Sequence, residues 1–164
     1  MQNCSKLLWD KVGVADQPDF WNAYSTNLFT DRAIQVVEAH HSEDADKALF
    51  LYLAYQGVHE PRQSPEHYYN AYNESISDLD RRQFAGMLVA LDEGVANVTA
   101  ALTASTMYDD TLWIVTTDNG GPTTECSTTG QSNYPLRGSK CSIWEGGTRG
   151  TSFLFCERPA SPHA

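Results

Sequence analysis

The stretch Thr111 to Gly121, TLWIVTTDNGG, constrains the fold of this chain more than any other. Leu112 to Thr117 are rich in β-branched and aromatic side chains and show no polar alternation, which predicts a strand buried on both faces of a parallel sheet. Asp118 and Asn119 follow at once, so two oxygen-bearing side chains stand where the strand leaves the sheet. Gly120 and Gly121 then allow a sharp turn or a close backbone approach. That is the edge at which open α/β sheets bind ligands. An Asn-Gly turn that merely ends a strand fits these four residues equally well.

The chain upstream supplies the partner elements. Ala48 to Ala54, ALFLYLA, is a second uninterrupted apolar run of strand length, followed by a turn that carries His59, Glu60 and Pro61. From about Asp80 to Ser105, Phe84, Leu88, Leu91, Val95, Val98 and Leu102 recur at three- and four-residue steps, the pattern of an amphipathic helix. Strand, long helix and strand form a βαβ unit with both strands pointing the same way. His59 and the Asp118-Asn119 pair therefore belong to one carboxyl edge, although they are far apart in sequence. An earlier helix starts at Ser25 or Thr26, either of which can cap it, and runs to about His40 with Phe29, Ala33 and Val36 or Val37 on one side. Residues before it predict loop with short irregular structure. His40 and His41 are adjacent, so on a helix they diverge by about 100° and fit a solvated helix end better than a metal site. Residues 122–139 form a long loop, with Arg137, Lys140 and Arg149 in or just after it, and Thr151 to Phe155 can add a third strand.

Composition narrows the function. The net charge is −10, which argues against nucleic acid as a partner. No run of about 18 apolar residues predicts a membrane span, and the amino-terminal residues lack the apolar core of a secretory signal. Three N-x-S/T sequons, at Asn3, Asn73 and Asn97, and an even four cysteines nevertheless suit an oxidising, glycosylating compartment.

Asp118 and Asn119 are hard oxygen ligands, suited to Ca²⁺ or Mg²⁺ rather than zinc. Calcium takes roughly six to eight oxygens, so these two residues make only part of a site. A Lys and a His nearby suit an oxyanion ester: the cation holds the oxyanion, and the imidazole can protonate the departing alcohol. The constellation supplies no nucleophile.

The ordered blocks FLYLAYQGVHEP, AGMLVALDEGVANVT, VTTDNGG and NYPLRGSKCSIWEGGTRG together resemble the type I sulfatases, within them the arylsulfatase B group, over roughly residues 24–155. The resemblance implies an alkaline-phosphatase-like α/β fold, a mostly parallel sheet flanked by helices. His59 matches the family's substrate-contacting histidine, Asp118 and Asn119 match calcium ligands, and Lys140 matches the lysine that bridges sulfate and the leaving oxygen. It also implies a sulfated sugar or glycosaminoglycan as substrate, and a lysosomal or extracellular location.

The departures are specific. In the family a cysteine in C-x-P-S-R or C-x-A-S-R becomes the formylglycine nucleophile; none of Cys4, Cys126, Cys141 or Cys156 stands in such a sequence. The early aspartate pair of the calcium site is missing from the sequence too, as are the Lys-x-His segment and the carboxy-terminal subdomain. Residues 1–164 therefore read as the middle portion of a sulfatase catalytic domain, inactive alone. A non-catalytic product with weak cation binding and a related metal-dependent phosphatase or phosphodiesterase are the alternatives. Cys126 and Cys141 flank the loop that leads to Lys140, and a disulfide between them is one of the pairings that four cysteines allow.

Overall fold

The structure, a computed structural model, describes residues 9–10, 13–14, 23–123 and 130–157. Two short strands, β1 (Trp9–Asp10) and β2 (Gly13–Val14), pair antiparallel within the segment expected to be irregular. Helix α1 spans Ser25–Glu43, α2 spans Glu66–Asn70 and α3 spans Leu79–Ala104. A 3₁₀ turn, Tyr108–Asp110, leads into β3 (Trp113–Thr116); α4 (Glu145–Thr148) and β4 (Ser152–Phe155) close the described chain.

Helix α1 starts one residue earlier than its expected caps. Tyr24 is the N-cap and makes no side-chain capping bond, while Ser25 and Thr26 are already helical. The start is held by packing instead: Thr26, Thr30, Ala33 and Val37 form one buried stripe at helical spacing. Helix α3 is capped in the usual way, with the Asp78 carboxylate accepting from the Arg81 amide at 2.7 Å.

The buried stripe of α3 keeps Val98 and Leu102 of the expected face but not Leu88. Gly86, Met87, Ala90, Gly94, Val98 and Leu102 face inward, and Leu88 is exposed. The reason is close approach: a β-carbon at Gly86 would meet the Ser64 hydroxyl and Tyr69, and one at Gly94 would meet the Thr30 and Tyr55 hydroxyls. Small residues let α1 and α2 lie directly against α3, so hydrophobic volume there is a poor guide to the contact face. Ala33 and Val37 of α1 meet Val98 and Leu102 of α3 in the core, with Leu49, Leu53 and Trp113 leaning on them. At 26 residues α3 is long and apolar enough to cross a bilayer. It serves here as the core helix, with Asp92 exposed and its buried stripe against α1 and α2.

The sheet departs from expectation. Strand β3 pairs with β4, and the pair is antiparallel, with Trp113 opposite Phe155 and Ile114 opposite Leu154. Ala48–Ala54 carries no ladder, so no parallel pair occurs among the described residues. Strand state needs a neighbour, and an apolar run alone does not supply one.

Both apolar runs are also covered on one side only. Leu49, Leu53 and Trp113 turn toward the helices, whereas Phe50 is 90% exposed, Tyr52 81%, Ile114 65% and Leu154 70%. An uninterrupted apolar run predicts two covered faces. The α1-α3 layer provides one of them.

Candidate active site

The 57–61 turn is positioned by the helix pair. Thr30 of α1 gives its hydroxyl proton to the Thr26 carbonyl at 2.8 Å, and its oxygen lies 2.8 Å from the Tyr55 hydroxyl. In that arrangement Tyr55 donates to Thr30. Burial raises the Tyr55 pKa, and the bond to Thr30 offsets part of the rise. Tyr55 thus fastens the end of the Ala48–Tyr55 segment to α1, and the chain turns outward through Gly57 to present His59 at the surface.

Lys140 reaches His59 from a different part of the chain. Its Nζ lies 3.1 Å from His59 Nε2, across 81 residues of sequence. An ammonium has only donors, so Nε2 is the acceptor. The ring proton then resides on Nδ1, which donates to the Glu60 carbonyl at 3.1 Å. The imidazole is held in one tautomer with its basic nitrogen against a cation.

Two diglycine segments fix the loop that carries Lys140. The Gly120 amide donates to the Gly147 carbonyl at 3.0 Å, the Gly146 amide to the Arg137 carbonyl at 2.8 Å, and the Lys140 amide to the Gly121 carbonyl at 3.2 Å. A β-carbon on Gly120 would run into the Gly146 carbonyl, so the turn after Asp118 and Asn119 needs glycine for close approach. Gly138 needs it for conformation, at φ +86°. The Arg137 guanidinium stacks on the Trp144 ring, 3.7 Å from its centre.

Asn133, not anticipated from sequence, completes the clamp. Its Oδ1 accepts from the Gly121 amide at 2.9 Å, and its Nδ2 donates to the carbonyls of Gly121 at 2.7 Å and Gly138 at 3.2 Å. One side chain thereby bridges the turn after β3 and the strand of loop before Lys140. An Asn just before the Tyr-Pro of SNYPLRGSK was the available signal, and it carries no helical or strand period to expose it.

Of the expected site residues, His59 and Lys140 touch through their side chains, and Asp118 and Asn119 occupy the turn whose backbone binds the Lys140 amide. Asp118 is exposed and Asn119 half-buried. Their donor set suits part of a calcium shell, and no group of three or more His, Cys, Asp or Glu side chains placed to hold a metal occurs among the described residues. Cys141, next to Lys140, is disulfide-bonded; the expected partner Cys126 and the Asn3 sequon lie outside the described residues. Cys156 is an exposed thiol. Asn73 and Asn97 are both exposed, the first in a turn after α2 and the second on α3.

Comparisons with known proteins agree on one family. The family model described as Sulfatase matches residues 2–156. Mouse arylsulfatase J is 46% identical over 131 residues, which are 80% of this chain and 21% of that protein. Mouse steryl-sulfatase is 26% identical, over 98% of this chain and 24% of its own length. Among solved structures, Ps i-CgsB in complex with k-i-k-neocarrahexaose superposes with a TM-score of 0.74 at 32% identity, covering 81% of this chain and 28% of that one. The putative sulfatase yidJ from Bacteroides fragilis, at 15% identity and a TM-score of 0.65, shares the fold. This chain spans about a fifth to a quarter of the curated relatives it matches.

Proposed function

This chain belongs to the sulfatase family, and on that premise we propose that it carries the leaving-group half of a sulfuric ester hydrolase site within the catalytic domain. The observation that carries the reading is the 3.1 Å contact of Lys140 Nζ with His59 Nε2. A bound sulfate ester would take over the Lys140 donor, which offsets negative charge growing on the bridging oxygen as the S–O bond breaks. Once Lys140 turns to the ester, His59 Nε2 is left open to take up a proton from water, and the imidazolium so formed can return that proton to the departing alcohol. Its Nδ1–H bond to the Glu60 carbonyl keeps the ring in register throughout.

Asp118 and Asn119 would contribute two of the ligands of a calcium ion, which when bound would supply positive charge toward the sulfate group. The remaining ligands and the formylglycine nucleophile would have to come from polypeptide outside residues 1–164. The substrate class in this reading is a sulfated carbohydrate, and the compartment lysosomal or extracellular; the exposed Asn73 and Asn97 sequons and the disulfide at Cys141 support the second point.

Without a C-x-P-S-R or C-x-A-S-R segment, the 164-residue chain is expected to release no 4-nitrocatechol from its sulfate ester. Anion binding is separable from turnover. Titration with inorganic sulfate, followed through the ¹⁵N resonances of the His59 ring, should give a saturable shift that Lys140→Met removes. A His59 signal indifferent to sulfate would refute the assignment. The competing non-catalytic reading is favoured by the missing nucleophile motif, and it predicts that same indifference.

A further inference from the structure

The turn that carries Lys140 is held in a conformation its residues do not favour. Ser139 to Ser142 form a β-turn: the Ser142 amide donates to the Ser139 carbonyl at 3.0 Å, with Lys140 and Cys141 between them. Cys141 has φ +75°, the left-handed region that this position of a turn reserves for glycine and that strains any residue with a β-carbon. Gly138, earlier in the same loop, adopts φ +86° with no β-carbon in the way.

A non-glycine residue stays left-handed only when its surroundings over-determine it. Hydroxyl bonds supply part of that restraint. The Ser139 amide donates to Ser142 Oγ at 3.2 Å, Ser142 Oγ donates to the Ser139 carbonyl at 2.8 Å, and Ser139 Oγ donates to the Lys140 carbonyl at 2.9 Å. These bonds fix the ends of the turn and the Lys140 peptide, and Ser139 is buried. Cys141 itself is exposed, so core packing does not restrain its side chain. A disulfide does.

We infer that the Cys141 disulfide is a positioning element for Lys140: it anchors the side chain of a left-handed residue and so keeps the turn that delivers the Lys140 donor to His59. The inference rests on the hydrolase reading above. Relaxation of Cys141 to the right-handed region turns over the Lys140–Cys141 peptide, which takes the Lys140 carbonyl away from the Ser139 hydroxyl. The short segment whose amide bonds Gly121 and whose Nζ lies 3.1 Å from His59 Nε2 then loses its fixed geometry. Cys141 acts through Lys140 alone.

Sulfate binding to the 164-residue chain, read through the His59 ring ¹⁵N resonances, tests this with Cys141→Ala, Cys141→Gly and the parent, each with and without dithiothreitol. The reductant passes two electrons and two protons to the bridge, leaving two protein thiols and its own cyclic disulfide. The reduced parent and Cys141→Ala should bind inorganic sulfate about tenfold more weakly than the oxidised parent, the scale of one left-handed residue released from strain. Cys141→Gly is at home in the left-handed region, so it should recover all but about twofold of that loss and ignore the reductant. A merely structural role for the bridge would penalise glycine at least as much as alanine. In the sulfate-free state, the Cys141→Ala His59 Nε2 resonance should move toward that of Lys140→Met.

Circular dichroism checks that each variant keeps its helices. If Cys141→Ala does not, Cys141→Asn replaces it and should fall between Cys141→Gly and the reduced parent, since asparagine tolerates the left-handed region better than most residues. A reduced parent that bound sulfate as tightly as the oxidised one, or Cys141→Gly binding as weakly as Cys141→Ala, would overturn the inference and leave the hydrolase reading intact. Absence of sulfate binding by the oxidised parent, or sulfate binding indifferent to Lys140→Met, would overturn both.

Discussion

Replacing Asn133 tests how the loop bearing Lys140 is held. The side chain makes three hydrogen bonds, two to Gly121 and one to Gly138, and it is half-buried. At roughly 0.5–1.5 kcal/mol for each, discounted because water can reach part of the site, Asn133→Ala should destabilise the local structure by about 2 kcal/mol. Asn133→Asp is the sharper change. A carboxylate keeps the bond from the Gly121 amide, but its second oxygen would face the Gly121 and Gly138 carbonyls with no proton to offer. Its cost should equal or exceed that of alanine, although the shape is unchanged. Hydrogen exchange of the Gly121 and Lys140 amides is the assay, and a 2 kcal/mol loss corresponds to about thirtyfold faster exchange through local opening. If Asn133→Asp exchanged as slowly as the parent, the clamp would not be what holds this turn.

Three further predictions follow from the packing. Gly94→Ala should destabilise the chain by about 1–2 kcal/mol in urea titrations, because the clash with the Thr30 and Tyr55 hydroxyls outweighs a helix-propensity gain of about 1 kcal/mol; a stabilised variant would show that α1 and α3 are not in close contact there. On the bare sheet face, Ile114→Thr combined with Leu154→Thr should cost under about 1 kcal/mol and improve solubility, whereas Leu102→Ala in the core should cost about 2–5 kcal/mol. Reversal of that order in thermal unfolding would place the core on the other side of β3. Burial raises the pKa of Tyr24, Tyr55 and Tyr68 above the ordinary 10.0, and Glu93 adds to the rise at Tyr68. The folded state therefore prefers these phenols neutral, so their contribution is complete below pH 10 and is lost as pH climbs through the raised values. Stability measured from pH 8 to 12 should be flat and then fall, and Tyr55→Phe should soften the fall.

Much of the frame was legible in the sequence. The expected helix from about Asp80 to Ser105 is observed as Leu79–Ala104, and the turn DNGG stands at the end of a real strand. His59 and the turn after Asp118-Asn119 are both bonded by Lys140, the side chain meeting His59 and the amide bonding Gly121, although the parallel pair from which a shared edge was inferred is not seen among the described residues. What escaped prediction has a common physical origin. The inward stripe of α3 is set by how near α1 and α2 can come, so Gly86, Ala90 and Gly94 decide it rather than Leu88. The parallel pairing was inferred from apolar runs that report burial but not neighbours, and β3 pairs antiparallel with β4. Asn133 acts through three backbone groups that no residue pattern announces.

A graft would test the central claim most directly: residues 23–157 of this chain placed in mouse arylsulfatase J in exchange for the matching stretch, with sulfate-ester hydrolysis measured on the purified chimera. The account predicts that the chimera turns over. Lys140→Ala within the graft should then lower kcat by about a hundredfold or more, the usual scale for removing a donor to a developing oxyanion. A folded chimera that hydrolysed the ester equally well with alanine at position 140 would contradict it.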